Sequence, residues 1–341
     1  MMSALSMSLP RIAITMGDPA GVGPEICLHL LANEAIHQVC TPVIFGDARI
    51  LARCARQLNL PPPKRIISEL EWSTVAGGID QPAVLDVHGF DAADFVPGTV
   101  SAATGAAAYR YVEKSIEAAL AKEVEAVSTA PLNKEAMHAA GIRFPGHTEI
   151  FAAKTNAARS CMLQYSEEVR ASFVTVHCGY GEVPGLLTMQ RILDVIELTA
   201  EAMKRLRNPH PKIGVLGLNP HAGEHGLFGN REEENIIIPA MELARAKGID
   251  VEGPIPPDTA FLPARRKITD AFICMYHDQG HIPLKALAFD VAVNTTLGLP
   301  MVRTSVDHGT ACDIAWQGKA SPNSLFEAVK MAVKLSSPAA S

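Results

Sequence analysis

No apolar run in this 341-residue sequence approaches the roughly 20 residues that span a bilayer, so a transmembrane helix is not expected. There is no excess of basic charge either. The formal net charge is −6, which argues against nucleic acid as a partner and leaves room for an anionic small molecule in a local positive pocket. The seven cysteines are scattered, and no C-x-x-C pair occurs. That excludes a disulfide framework and fits a reducing cytoplasm. No G-x-G-x-x-G stands where a dinucleotide-binding turn would be, and no P-loop lysine follows a glycine-rich turn. Residues 1–10 (MMSALSMSLP) lack the basic start and apolar centre of a signal peptide and are expected to be a short disordered lead-in.

What is present is a globular composition, 48% apolar with 19% charged residues, in which β-rich runs alternate with helical stretches. Runs at 11–15 (RIAIT), 41–47 (TPVIFGD), 124–128, 170–177, 212–218 and 270–275 read as strands, and 49–58, 98–120 and 188–207 read as helices. The alanine-rich helix after Gly98 should start at Ser101 or Thr104 and pack closely on a flat partner. Between 73 and 94 only short strands are expected. The turn at 16–25 (MGDPAGVGPE) is either a tight strand-to-helix turn or, through Asp18 and its backbone amides, part of a ligand cleft. The turn TAPLNK makes Lys134 a candidate anion contact, or else a surface lysine. His147 and Thr148 in GHTE fall at a helix start, where free amides favour an anion, although Thr148 could serve only as a cap.

Polar residues are densest at 276–310. Three separate strand-like runs each lead to a histidine: His177, His221 and His277. One such histidine is usually structural. Three at equivalent strand ends could converge and hold Zn, Co, Ni or Mn, with positions left open for substrate. His225, His281 and His308 are weaker candidates. Lys285, Asn294 and Arg303 lie among apolar residues, where a buried cation needs an anion. With His147 and Thr148, the two cations would form a phosphate pocket, unless they pair with Asp290, Asp307 or Asp313.

The motifs GDPAGVGPE, STAPLNK, GHTE, GLNPHAGE, MYHDQG, NTTLGLP and RTSVDHGTA together resemble the 4-hydroxythreonine-4-phosphate dehydrogenase (PdxA) family of pyridoxine biosynthesis, and they span the chain from residue 11 to beyond 315. The resemblance implies an α/β fold of two α/β/α domains, isocitrate/isopropylmalate-dehydrogenase-like, with the active site in the interdomain cleft. The first domain would comprise about 11–133 plus 285–341 and the second about 134–284. It further implies a homodimer with shared active sites, NAD or NADP, and one divalent ion (Zn, Mg, Mn or Co). The implied chemistry is oxidation, with decarboxylation, of a phosphorylated 3-hydroxy acid. By motif, the metal ligands would be His177, His221 and His277. Substrate would meet His147, Thr148, Lys285, Asn294 and Arg303. The cofactor would face Asn294, Leu297, Asp307 and His308, and Lys285 and Asp258 would be the catalytic candidates.

Two features bear on the substrate. HCGYGEVPGLLT, after the first of the three histidines, departs from the apolar, arginine-containing segment of biosynthetic members. HDQGHIPLK is similar to the catabolic branch acting on 4-phospho-D-threonate or 4-phospho-D-erythronate. Terephthalate-type cis-dihydrodiol dehydrogenases share HDQGHIP but tend to lose GHTE, which this chain keeps. A phosphorylated acid is therefore expected over a diol carboxylate. A non-catalytic phosphate-ligand binder is the alternative from another class.

Overall fold

The protein is described from a computed structural model covering residues 9–90, 95–288 and 291–337. Residues 1–8 of the expected lead-in, and Asp290, lie outside the described residues. Among those described, twelve strands occur: β1 (Arg11–Thr15), β2 (Thr41–Gly46), β3 (Ile66–Ser68), β4 (Ala83–Asp86), β5 (Ala126–Thr129), β6 (Cys161–Tyr165), β7 (Arg170–Phe173), β8 (Lys212–Leu216), β9 (Asp250–Ile255), β10 (Ala271–Cys274), β11 (Val293–Leu297) and β12 (Val302–Ser305). No described helix is long and apolar enough to cross a membrane.

The chain forms two compact units, one of residues up to 156 together with 300–336, the other of 157–299. The unit changes thus fall later than the positions expected near 134 and 285. The helices Lys134–Ala139 and His147–Thr155 stay with the first unit because both pack on its long helix Ala102–Leu120.

In the first unit the strand order is β3-β4-β2-β1-β5-β12, and every pairing is parallel. A parallel sheet covered on its faces needs strands without a polar side, and the run TPVIFG meets that need, since all six residues are buried. Helix Ala102–Leu120 lies on β1, β2 and β5, while helix Asn323–Ser336 lies on β12, β5 and β1. Ser101 caps the long helix, accepting from the Thr104 N–H at 3.2 Å. The expected close packing is present, and one partner is another helix: a Cβ added at Gly105 would lie 2.2 Å from the backbone carbon of Ala136. Only glycine allows the helix bearing Lys134 to approach so near.

The MGDPAGVGPE stretch is buried throughout. The Asp18 N–H donates to Pro131 O, the Val22 N–H to Thr310 O, and the Trp316 indole to Pro19 O. This is an interior turn tying three chain segments together. Between 73 and 94 the expectation of strands alone fails: a helix, Glu69–Val75, precedes β4, and its start is a reciprocal capping box of Ser68 with Glu71. The S-x-x-E signal was legible there.

In the second unit the order is β11-β6-β7-β10-β8-β9. The β11–β6 and β6–β7 pairs are antiparallel, and β7, β10, β8 and β9 run parallel. Phe173, Leu216, Phe272, Cys274 and Leu284 meet in its core. The expected architecture, a sheet with helices packed on it in each of two units, is therefore observed.

Candidate active-site residues in each unit

In the first unit, helix His147–Thr155 begins at Gly146, which caps without a side chain, so Thr148 is not the cap. His147, Thr148 and Glu149 occupy its first turn, where unbonded amides and the helix dipole favour an anion. Arg303, on β12, is 1% exposed. Its Nη2 donates to Thr129 Oγ1 at 2.7 Å, and its guanidinium lies 5.5 Å from the centre of the Phe151 ring of the same helix. Burial pulls its pKa down to about 9, with Glu149 opposing, so it stays a cation at neutral pH.

The Nε2 of His147 is buried with no hydrogen-bond partner. Burial first, then Arg303 and Lys134, push its pKa well below the usual histidine range, so the ring is neutral. Lys134, at the first position of its own capped helix, completes the group. The result is a pocket of two cations, a helix start and an unsatisfied imidazole nitrogen. Glu149 supplies one negative charge beside Arg303, so the group keeps a net positive charge at a helix start, which suits an added anion.

In the second unit the three histidines follow the C-terminal ends of three adjacent parallel strands. His177 comes after β7, His277 after β10 and His221 after β8. None lies on a strand. The β7 run is shorter than expected, and His277 is the first residue of helix His277–Ala288. The ring centroids of His177 and His277 are 5.9 Å apart. His281, one turn on, stacks on His277 at 3.8 Å and on Phe173 at 4.5 Å, which anchors the face to the core. Asp278 Oδ1 lies 2.6 Å from His277 Nδ1.

His221 sits in a turn whose residues His221 to His225 all have positive φ, between 42° and 79°. Four of the five are not glycine, which costs on the order of 1 kcal/mol each. Buried Glu233 compensates. It accepts from the Leu218 and Asn219 N–H groups at 2.8 Å each, and from Asn219 Nδ2 at 3.0 Å. A Cβ on Gly223 would reach 2.6 Å from the Glu233 carboxylate, so this position needs glycine for space as well as for φ.

The remaining candidates are placed as follows. Lys285 is exposed, which corrects the idea of a buried lysine; it stands eight residues after His277, on the same helix face as His277 and His281. Asn294 is half-buried on β11, its Oδ1 lacking a partner, and Leu297 on the same strand is buried. Asp307 is half-buried and His308 exposed, with Nδ1 of His308 2.9 Å from Gly309 O. Asp258 is exposed on the short helix Pro257–Ala260, which packs on the turn carrying His221. His225 shares that turn.

Among the described residues, the one group of three His, Cys, Asp or Glu donors lying within 4.8 Å of one another is Asp47, Asp86 and His88. These carboxylates already have partners. Arg49 Nη2 lies 2.7 Å from Asp47 Oδ2, and the Ala48 N–H donates to Asp86 Oδ1 at 2.8 Å. With a guanidinium in place, the cluster braces a helix start more readily than it holds a metal. His177, His221 and His277 do not form such a group within one chain.

A pH effect follows from His281, whose burial lowers its pKa from 6.5 to about 4. Below pH 6.5 the unfolded chain binds protons that the folded ring refuses. Stability of metal-free protein should therefore be complete above about pH 6.5 and fall toward pH 4, by on the order of 3 kcal/mol from this group. His147 adds in the same direction. Urea midpoints between pH 7 and 4.5 should slope less steeply in His281→Gln; an unchanged slope would contradict the assignment.

The family profile described as "Pyridoxal phosphate biosynthetic protein PdxA" matches residues 38–332. The 4-hydroxythreonine-4-phosphate dehydrogenase of Desulforapulum autotrophicum is 44% identical over 327 residues, covering 95% of this chain and 94% of the relative. The D-threonate 4-phosphate dehydrogenase of Pectobacterium atrosepticum is also 44% identical, over 326 residues, covering 95% of this chain and 98% of its own length. Among solved structures, the 4-hydroxythreonine-4-phosphate dehydrogenase of Klebsiella pneumoniae superposes with a TM-score of 0.84 at 40% identity, covering 96% of this chain and 100% of the other.

Proposed function

This chain belongs to the PdxA family and is a dehydrogenase acting on a CH–OH group, and we propose that it oxidises, with decarboxylation, a phosphorylated 3-hydroxy acid, using NAD or NADP and one divalent ion. The substrates this reading names are 4-phosphohydroxy-L-threonine, 4-phospho-D-threonate and 4-phospho-D-erythronate. The observation that carries it is the net positive group at the start of helix His147–Thr155, where the unsatisfied Nε2 of His147 lies under the influence of Arg303 and Lys134.

In this reading Arg303, Lys134 and the first-turn amides of helix His147–Thr155 hold the phosphate, and neutral His147 donates one N–H to it. Thr148 adds its hydroxyl. Lys285 presents an ammonium beside the histidine face, suited to the substrate carboxylate or to the developing oxyanion. Asn294, whose amide oxygen lacks a partner, and Leu297 are the proposed cofactor contacts of the second unit, and Asp307 and His308 are those of the first. Asp258 is the remaining candidate for proton transfer.

The donor set of His177, His221 and His277 fits a divalent ion such as Zn, Mg, Mn or Co. The rings are exposed or half-buried, and a carboxylate at His277 Nδ1 leaves Nε2 free to ligate. A bound ion supplies Lewis-acid polarisation of the hydroxyl and ketone oxygens, and the nicotinamide supplies the hydride acceptor. That the three are not gathered within one chain supports a homodimer with shared ligands. The seven free cysteines support a reducing cytoplasm as its place.

Titration calorimetry with 4-phospho-D-threonate and with unphosphorylated D-threonate, each with Co(II), tests the pocket. The phosphorylated acid should bind at least about tenfold more tightly, as expected for a buried charge-assisted contact. Equal affinities would contradict it.

A further inference from the structure

The loop after His177 carries a side chain that the proposed reaction does not use. Tyr180 opens a tight turn, Tyr180–Glu182, whose start is pinned by the Gly179 N–H donating to Glu182 Oε2 at 2.7 Å. From that turn the Tyr180 hydroxyl donates to Asp278 Oδ2. The other oxygen of this carboxylate faces Nδ1 of His277 at 2.6 Å. Tyr276 packs edge-on against the Tyr180 ring, centroids 5.8 Å apart. His177, Tyr180, Tyr276, His277 and Asp278 line one cavity of about 470 Å³.

The chemistry of this chain of contacts is directional. A carboxylate accepting from Nδ1–H holds an imidazole in the tautomer whose Nε2 lone pair is available, and it makes that nitrogen more basic. A carboxylate gripped at one oxygen can still rotate about its own bond. A phenol on the second oxygen stops that rotation and so fixes the ring plane.

We propose that Tyr180 is a positioning residue that acts through Asp278 on His277 and sets the affinity of the histidine cluster for a divalent ion. This rests on the reading of His277 as a metal ligand. Tyr180 is 68% exposed, so its hydroxyl contributes little to the core, and its removal should leave the fold intact.

The test uses full-length protein and Co(II) alone, with affinity measured by competition against a chelator and coordination read from the visible absorption of Co(II). Asp278→Asn should weaken Co(II) by about 10- to 100-fold, the range for lost outer partners of ligating histidines. Tyr180→Phe should weaken it less, by about threefold or more, and shift the visible bands, while the melting temperature of metal-free protein stays unchanged. Wild-type affinity and spectrum in Tyr180→Phe would overturn the proposal. So would an affinity loss matched by a fall in metal-free melting temperature, which would make Tyr180 structural. Full Co(II) affinity in His277→Ala would instead remove the metal assignment beneath it.

Discussion

Arg303→Met is expected to weaken binding of the phosphorylated acid by about 2 kcal/mol or more, close to thirtyfold, with nicotinamide binding unchanged. Arg303 is 1% exposed yet remains cationic at neutral pH, and Glu149 only partly offsets the desolvation of that charge in the ligand-free protein. A phosphate arriving at the start of helix His147–Thr155 relieves the cost through charge-assisted hydrogen bonds. Methionine keeps the packing on Phe151 and removes the charge together with the hydrogen bond to Thr129 Oγ1. The lost hydrogen bond and the relieved desolvation oppose each other, so the stability of the unliganded protein should change little while affinity falls. Binding measured by calorimetry against urea midpoints separates the two effects. An equal loss on an unphosphorylated analogue would take Arg303 out of the phosphate pocket.

His277→Ala should abolish turnover, by three orders of magnitude or more, equivalent to about 4 kcal/mol of lost transition-state stabilisation. The ring is half-buried at the first position of its helix, and its loss frees a stacking partner of His281 without opening the core. Circular dichroism and the melting temperature should thus stay close to wild type. A non-catalytic binder of phosphate ligands would lose nothing measurable on this substitution, so retained ligand binding with abolished turnover distinguishes the two readings. Retained turnover would exclude His277 from the reaction.

Much of the scaffold was legible because apolar strands buried on both faces leave little ambiguity. RIAIT and TPVIFG are β1 and β2 within a residue, and the capped helix after Ser101 was visible from its alanines. The position of the three histidines after strand ends was legible for a topological reason: each follows an apolar strand, and a parallel sheet brings such ends to one edge. The length of the strands was not. β7 stops at Phe173, although the Val174 and Thr175 N–H groups still donate to Cys274 O and Met275 O.

The supports of the site were out of reach because they are long-range. Arg303 meets Thr129 across 174 positions, and Tyr180 meets Asp278 across 98, with no local pattern to mark either pair. Lys285 was misread as buried because its neighbours in sequence are apolar. On the helix only Leu284 of those neighbours enters the core, while Ile282 and Leu287 share the exposed side with Lys285. The left-handed turn at His221 has glycines that hint at it, but its brace, Glu233, lies on a later helix turn.

Oxidation of a phosphorylated hydroxy acid is tested most directly by reduced nicotinamide formation by purified protein with Zn, Mg, Mn or Co and NAD or NADP. 4-Phosphohydroxy-L-threonine, 4-phospho-D-threonate, 4-phospho-D-erythronate and a cis-dihydrodiol carboxylate would be compared side by side. A phosphorylated acid should be turned over and its unphosphorylated analogue should not. Turnover of the diol carboxylate alone would contradict it, and would mean that His147, Lys134 and Arg303 hold a carboxylate.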